Sequence, residues 1–293
     1  MSIIISLLEE IGFTNIDNLD LFLKGTRDNP KVNVLKCKET GIYILDKIFT
    51  NEKYYINNKI YSKRDKVLLK DNKEISTKLL SDNERRSKQH KQFYEGRIVC
   101  DFGCGKGDFI RAIKNKSKKV IGIELNSINK KKLENEGFEI FNNIDENQDQ
   151  FDTIFLNHVL EHLTDPVGIL EKIKMKLKPG GDLIVEVPHA DDFLIKTLDL
   201  EAFKKFTFWS EHLILHNKNS LKTFLEYAGF KTYNIEYFQR YPISNHFYWI
   251  KKGLPGGHEK FDGIIDKELE KSYNNYLINI KQTDTLIGYF KKI

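Results

Sequence analysis

The chain has 293 residues, with 47 Lys and Arg against 42 Asp and Glu, 40% hydrophobic content and 12% aromatic content. Twenty Phe and thirteen Tyr beside only six Pro exclude a disordered chain, and the length allows one large domain or two unequal ones. The net charge of +5 permits a nucleic-acid partner without demanding one. Cys37, Cys100 and Cys104 are an odd set with no CxxC, which argues against a disulfide framework and a structural zinc. The run Ile3 to Leu8 meets Glu9 and Glu10 too soon to span a bilayer and lacks a signal-peptide pattern, so a cytoplasmic protein with no membrane partner is expected.

Residues 1–95 are rich in Lys and Asn, with β-like stretches at Val32 to Cys37 and Gly41 to Asp46 around a turn. Ser81 or Asp82 can cap a helix, with Glu84 placed as a capping box requires, and that helix runs toward Tyr94. From Arg97 the period changes. Strands are expected at 97–101, 119–124, 138–141, 151–156 and 183–187, and helices at 108–116, 127–136 and from Asp165-Pro166 to Lys178. A helix at 219–228 and strands at 231–237 and 285–290 complete the pattern, while residues 239–282 form a long insertion with a helical stretch from Gly263 to Ile280. This alternation predicts an α/β fold with a doubly wound, mostly parallel sheet. The division is a cap at 1–95 and a domain at 96–293 carrying the insertion at 239–282.

The sharpest signal is Asp101-Phe102-Gly103-Cys104-Gly105-Lys106-Gly107-Asp108, at a strand end and opening a helix. Glycines there let the backbone approach a ligand, and Glu124, ending the next strand, can accept both hydroxyls of a ribose. A dinucleotide fingerprint needs Gly or Ala where this chain has Asp108, and a Walker loop needs a Gly-Lys-Ser/Thr ending that is absent. Asp101 suits a cationic amino-acid moiety better than a pyrophosphate.

Residues from about 97 to 237 resemble the class I S-adenosylmethionine-dependent methyltransferases. The likeness rests on the D-x-G-x-G-x-G loop, the acidic end of the second strand, Phe151-Asp152, the stretch Asn157-His158-Val159-Leu160-Glu161-His162-Leu163-Thr164-Asp165-Pro166, and Leu177-Lys178-Pro179-Gly180-Gly181. It implies a Rossmann-like fold and S-adenosyl-L-methionine as cofactor. Asp101, Gly103 and Gly105 would then line the methionine end, Glu124 the ribose, Asn142, Asn143 and Ile144 the adenine, and Asn157 and His158 the sulfonium side. His158 and His162 share a helix face, but the Glu of an H-E-x-x-H site is misplaced, so no metal is expected.

The acceptor is read from the carboxyl-terminal third, where His, Asn, Arg and aromatic residues gather around glycine turns. These suit a sugar or a phosphate-bearing ligand and resemble methyltransferases of bacterial sugar and surface-polysaccharide pathways. The expectation is a small polar acceptor, foremost an oxygen of a sugar or sugar nucleotide, and no nucleic-acid partner. A phosphoryl-type acceptor, an RNA methyltransferase and a nicotinamide oxidoreductase stand as alternatives. His246 and His189 are the candidate bases, and Arg85, Arg86, Arg240, Tyr241 and His258 the candidate substrate contacts. The oligomeric state is left open.

Overall fold

The computed structural model describes residues 3–56, 66–68, 74–76, 82–261 and 263–293. Its strands are β1 Leu19–Leu23, β2 Val34–Cys37, β3 Tyr43–Leu45, β4 Lys66–Leu68, β5 Glu74–Ser76, β6 Ile98–Phe102, β7 Lys119–Ile123, β8 Glu139–Phe141, β9 Phe151–Asn157, β10 Leu177–Pro188, β11 Ile214–Leu215, β12 Phe230–Phe238 and β13 Thr285–Lys292. Seven of them form one sheet in the order β12-β13-β10-β9-β6-β7-β8. The pairs β6 with β7, β6 with β9, β9 with β10, and β7 with β8 are all parallel. This is the doubly wound, Rossmann-like arrangement that the strand and helix alternation predicts.

The chain forms two compact units. One contains Thr50–Glu186, Phe224–Asn234 and Gly288–Ile293. Its central strands are apolar at consecutive positions, as Ile154, Phe155 and Leu156 are all fully buried, so both faces of the sheet are covered. Between strands, helix Asp108–Ile113 and helix Ser127–Asn135 supply Ile110 and Leu133, which pack with Cys104 and Ile140 into one cluster. Asn126 caps the second helix, accepting from Ile128 N and Asn129 N. Helix Pro166–Lys176 begins as its sequence dictates, with Asp165 accepting from Gly168 N and Pro166 in the first turn. Helix Asp82–Gln89 is followed by a turn at His90 and a short helix Lys91–Tyr94, where one continuous helix is expected from sequence. Ser81, the alternative cap, lies outside the described residues.

The other unit contains Met1–Phe49, Val187–Thr223 and Ile235–Ile287. It holds the four-stranded sheet β1-β2-β3-β11, with every pair antiparallel. The segment 239–282 folds as helices Ile243–Lys252, Gly257–Lys260 and Lys267–Asn279. Trp249 is almost fully buried, edge-on to Phe203 at 5.2 Å and tilted against Phe206 at 5.0 Å. No described helix is long and apolar enough to cross a membrane.

Candidate active site

The loop between β6 and helix Asp108–Ile113 is held by Gly103 N and Cys104 N, both donating to Ile123 O of β7. Gly103 has φ of 76°, and a Cβ there would meet Val159 Cγ2 at 2.5 Å, so glycine is required by backbone and by space. Gly105 also has positive φ, 55°, but faces open space. At the end of β6, Asp101 is buried and accepts a hydrogen bond from Asn157 Nδ2 at 3.2 Å. Burial pushes the Asp101 carboxyl up to about 6, outweighing the opposing pull of Arg86 and the Asn157 amide. The other Asn157 side-chain atom, Oδ1, is buried without a hydrogen-bond partner among the described residues.

Glu124 follows β7 and accepts from Asn126 N at 2.6 Å, with Gly105 and Leu125 amides also donating. Burial raises its carboxyl to about 7 against those three amides. Beyond β8, Asn143 accepts from Asp145 N and caps a short turn whose first residue, Ile144, is fully buried. Asn142 accepts from Lys130 Nζ.

At the ends of β9 and β10, Glu186 is fully buried and bound by two guanidinium groups. Arg85 Nη2 donates to both its oxygens at 2.8 Å, and Arg86 donates through Nη2 at 2.7 Å and Nε at 3.2 Å. Burial alone would raise Glu186, but Arg86 and His158 hold it well below the usual carboxylate range. His158 lies with Nε2 at 3.2 Å from Glu186 and Nδ1 at 3.3 Å from the fully buried Glu161. Sequence reasoning did not single out Glu186, although an acid inside the apolar run Leu183 to Val187 is a usable signal, since a charge in a buried strand must have a partner.

These groups all lie in one unit. The remaining candidates lie in the other. His189 is buried, with Nδ1 at 2.8 Å from Thr283 O, so that nitrogen carries the proton and Nε2, which has no hydrogen-bond partner among the described residues, keeps its lone pair. Burial lowers its imidazole to about 4. His246 is also buried and lowered to about 4 by desolvation, with Nδ1 at 2.7 Å from Tyr273 Oη and Nε2 at 3.3 Å from Gln239 Nε2. Asp284 accepts from the backbone of Arg240 and Tyr241 and from Gln239 Nε2, each at 2.9 Å. The Arg240 guanidinium stands over the Tyr241 ring at 5.2 Å. Both ring nitrogens of His258 are buried without a hydrogen-bond partner among the described residues.

A family model described as a methyltransferase domain matches residues 63–235. A tRNA U34 carboxymethyltransferase of Pseudoalteromonas translucida is 28% identical over 180 residues, covering 56% of this chain and 54% of that protein. The protein of the same name from Trichodesmium erythraeum is 32% identical over 111 residues, covering 33% of each. The chain therefore spans about half the length of such relatives, or less. A solved S-adenosylmethionine-dependent methyltransferase from Archaeoglobus fulgidus shares the fold, with a TM-score of 0.50 at 20% identity over 73% of this chain and 96% of that one.

These relatives correct three expectations: the sugar or sugar-nucleotide acceptor with its link to surface-polysaccharide pathways, the label of carbohydrate modification, and the exclusion of a nucleic-acid partner. The physical reason is visible in the carboxyl-terminal third. Among the aromatic residues there, Trp249 packs inward, and the candidate base His246 is tied to Tyr273. A small net charge also says little about nucleic acid, because binding depends on where the cations lie.

Proposed function

The chain belongs to the methyltransferase-domain family and is an S-adenosylmethionine-dependent enzyme, and on that premise we propose that it delivers a carboxymethyl group to the wobble uridine of tRNA. The observation that carries this reading is the name borne by both relatives reported above, tRNA U34 carboxymethyltransferase. The proposed setting is the cytoplasm.

The cofactor residues fit their group. An orphaned Asn157 Oδ1 beside a buried Asp101, and a loop in which a side chain at Gly103 would strike Val159, suit a cationic amino-acid end lying close to backbone. The bound cofactor supplies a carbon made electrophilic by its sulfonium. In our reading Asp101 and Asn157 hold the ammonium end, Glu124 holds the ribose hydroxyls, Gly103 and Gly105 give the backbone its approach, and Asn143 and Ile144 edge the adenine. The acceptor atom forms a bond to the transferred carbon as the carbon–sulfur bond breaks, and one proton leaves the acceptor. His189, with its lone pair fixed on Nε2 by Thr283, is the better proposed proton acceptor, while His246 shares its two nitrogens with Tyr273 and Gln239. Arg85, Arg240, Tyr241 and His258 remain proposed acceptor-side residues, and 239–282 the proposed acceptor-side insertion.

A carboxymethyl group requires a donor whose transferred carbon already bears a carboxylate. The test incubates the full chain with tRNA and either labelled S-adenosylmethionine or its carboxylated derivative, followed by nucleoside mass spectrometry. Label on the wobble uridine is expected, with the larger mass gain from the carboxylated donor. A chain that binds S-adenosylhomocysteine yet labels no tRNA with either donor refutes the tRNA reading and leaves the family assignment standing.

A further inference from the structure

Strand β9 ends at Asn157, and the chain then takes an unusual step. His158 has φ of 57°, a left-handed conformation that is uncommon outside glycine and persists where the surroundings hold it. Three contacts do so here. The His158 backbone N donates to Glu186 O at 2.8 Å, its Nε2 lies 3.2 Å from Glu186 Oε1, and its Nδ1 lies 3.3 Å from Glu161 Oε1.

Both carboxylates are completely buried. Glu186 is anchored in the ionised form by Arg85 and Arg86, reaching it from helix Asp82–Gln89. Glu161 belongs to the turn Leu160–His162, and His162 Nε2 lies 3.8 Å from it. A neutral imidazole has one N–H and one lone pair, so it would aim that lone pair at an acid oxygen on one side. An imidazolium offers N–H to both. A charged ring there also faces an excess of acid, since Glu186, Glu161, the neighbouring Asp101 and Asp82, 3.5 Å from Arg85, stand against Arg85 and Arg86, with His162 3.8 Å from Glu161.

We infer that His158 is a positioning residue held as an imidazolium, which bridges Glu161 and Glu186, fixes the turn after β9 and so sets Asn157 against Asp101, and takes no proton from the acceptor. The residue acts through Asn157, whose Nδ2 donates to Asp101 Oδ1 at 3.2 Å. The inference rests on the methyltransferase assignment and is independent of the tRNA reading.

Nitrogen NMR of the full chain carrying 15N-labelled histidine tests it, with the His158 signals identified by their loss in His158→Asn. At about pH 8, where an ordinary His is neutral, both His158 nitrogens are expected to report N–H. In Glu161→Gln the same ring is expected to become neutral at that pH. Asn tolerates the left-handed backbone and keeps a donor but not the charge, so His158→Asn is expected to weaken S-adenosylhomocysteine binding by several-fold, and His158→Leu, which keeps neither, by about tenfold more. A neutral imidazole at about pH 8 in the parent overturns the inference. So does equal cofactor affinity in the Asn and Leu variants.

Discussion

Two carboxylates decide how the cofactor half responds to acid. Burial raises Asp101 to about 6 and Glu124 to about 7, so both are partly protonated just below neutrality. Each is required as an anion by its proposed ligand, the ammonium group for Asp101 and the ribose hydroxyls for Glu124. Cofactor affinity is therefore expected to fall as pH drops through about 7 and again through about 6, read by calorimetry with S-adenosylhomocysteine. The same shifts act in the opposite sense on the empty protein. A carboxyl raised by folding favours the fold most at low pH, and that contribution is lost as pH rises through the folded value, so the thermal shift produced by cofactor grows toward alkaline pH. Glu124→Gln should remove the upper step and weaken binding by about tenfold, because a neutral amide accepts less strongly than a carboxylate. An unchanged pH profile in that variant would contradict the ribose role.

At the scale of single elements, the glycine loop separates two costs that usually come together. Gly103 and Gly105 both have positive φ, yet only Gly103 would drive a new Cβ into Val159. Replacing either by Ala incurs backbone strain of about 1–3 kcal/mol, and only Gly103→Ala adds a clash. Chemical denaturation should therefore show Gly103→Ala as the more destabilised variant, with Val159→Ala recovering part of the difference. Equal losses would mean that the loop shifts to relieve the contact. The parallel strands of this region were legible from sequence because they are buried on both faces and read as continuous apolar runs. Strand β1 was not, since Leu19–Leu23 has no fully buried position and carries an acid at Asp20. The cofactor loop was legible because its requirements are local. The pairing of Arg85 and Arg86 with Glu186 was not legible, because that acid is about a hundred positions away and spacing along a chain carries no information about it.

The two compact units are interleaved along the chain. Each compact unit draws on three separate stretches, and residues 50–95 contribute to the one that holds the methyltransferase loop. Helix Asp82–Gln89 supplies both guanidinium groups on Glu186, and Phe93 stacks on Tyr289 at 5.5 Å. A fragment starting at residue 96 would leave the Glu186 carboxylate buried without either guanidinium and with His158 alone, a loss on the order of 3–5 kcal/mol from this site. Such a fragment is expected to show no cooperative thermal transition. In the full chain, Arg86→Met leaves Glu186 with Arg85 and His158 alone, so the variant should be less stable than the parent in chemical denaturation. A fragment 96–293 that melts cooperatively and binds S-adenosylhomocysteine would show that the amino-terminal segment is dispensable.

Cys104 gives this architecture a built-in clock. Its thiol is packed among Ile110, Leu133 and Ile140, and burial raises it well above the ordinary thiol range, so alkylating reagents reach it only when the loop opens. Cys37 is also buried but belongs to the other unit, and against burial its hydrogen bonds with Thr14 and Thr40 lower its thiol. The labelling rate of Cys104 therefore counts excursions of the cofactor loop, Cys37 supplies an internal reference, and the ratio of the two reports how often an empty enzyme exposes its own binding site.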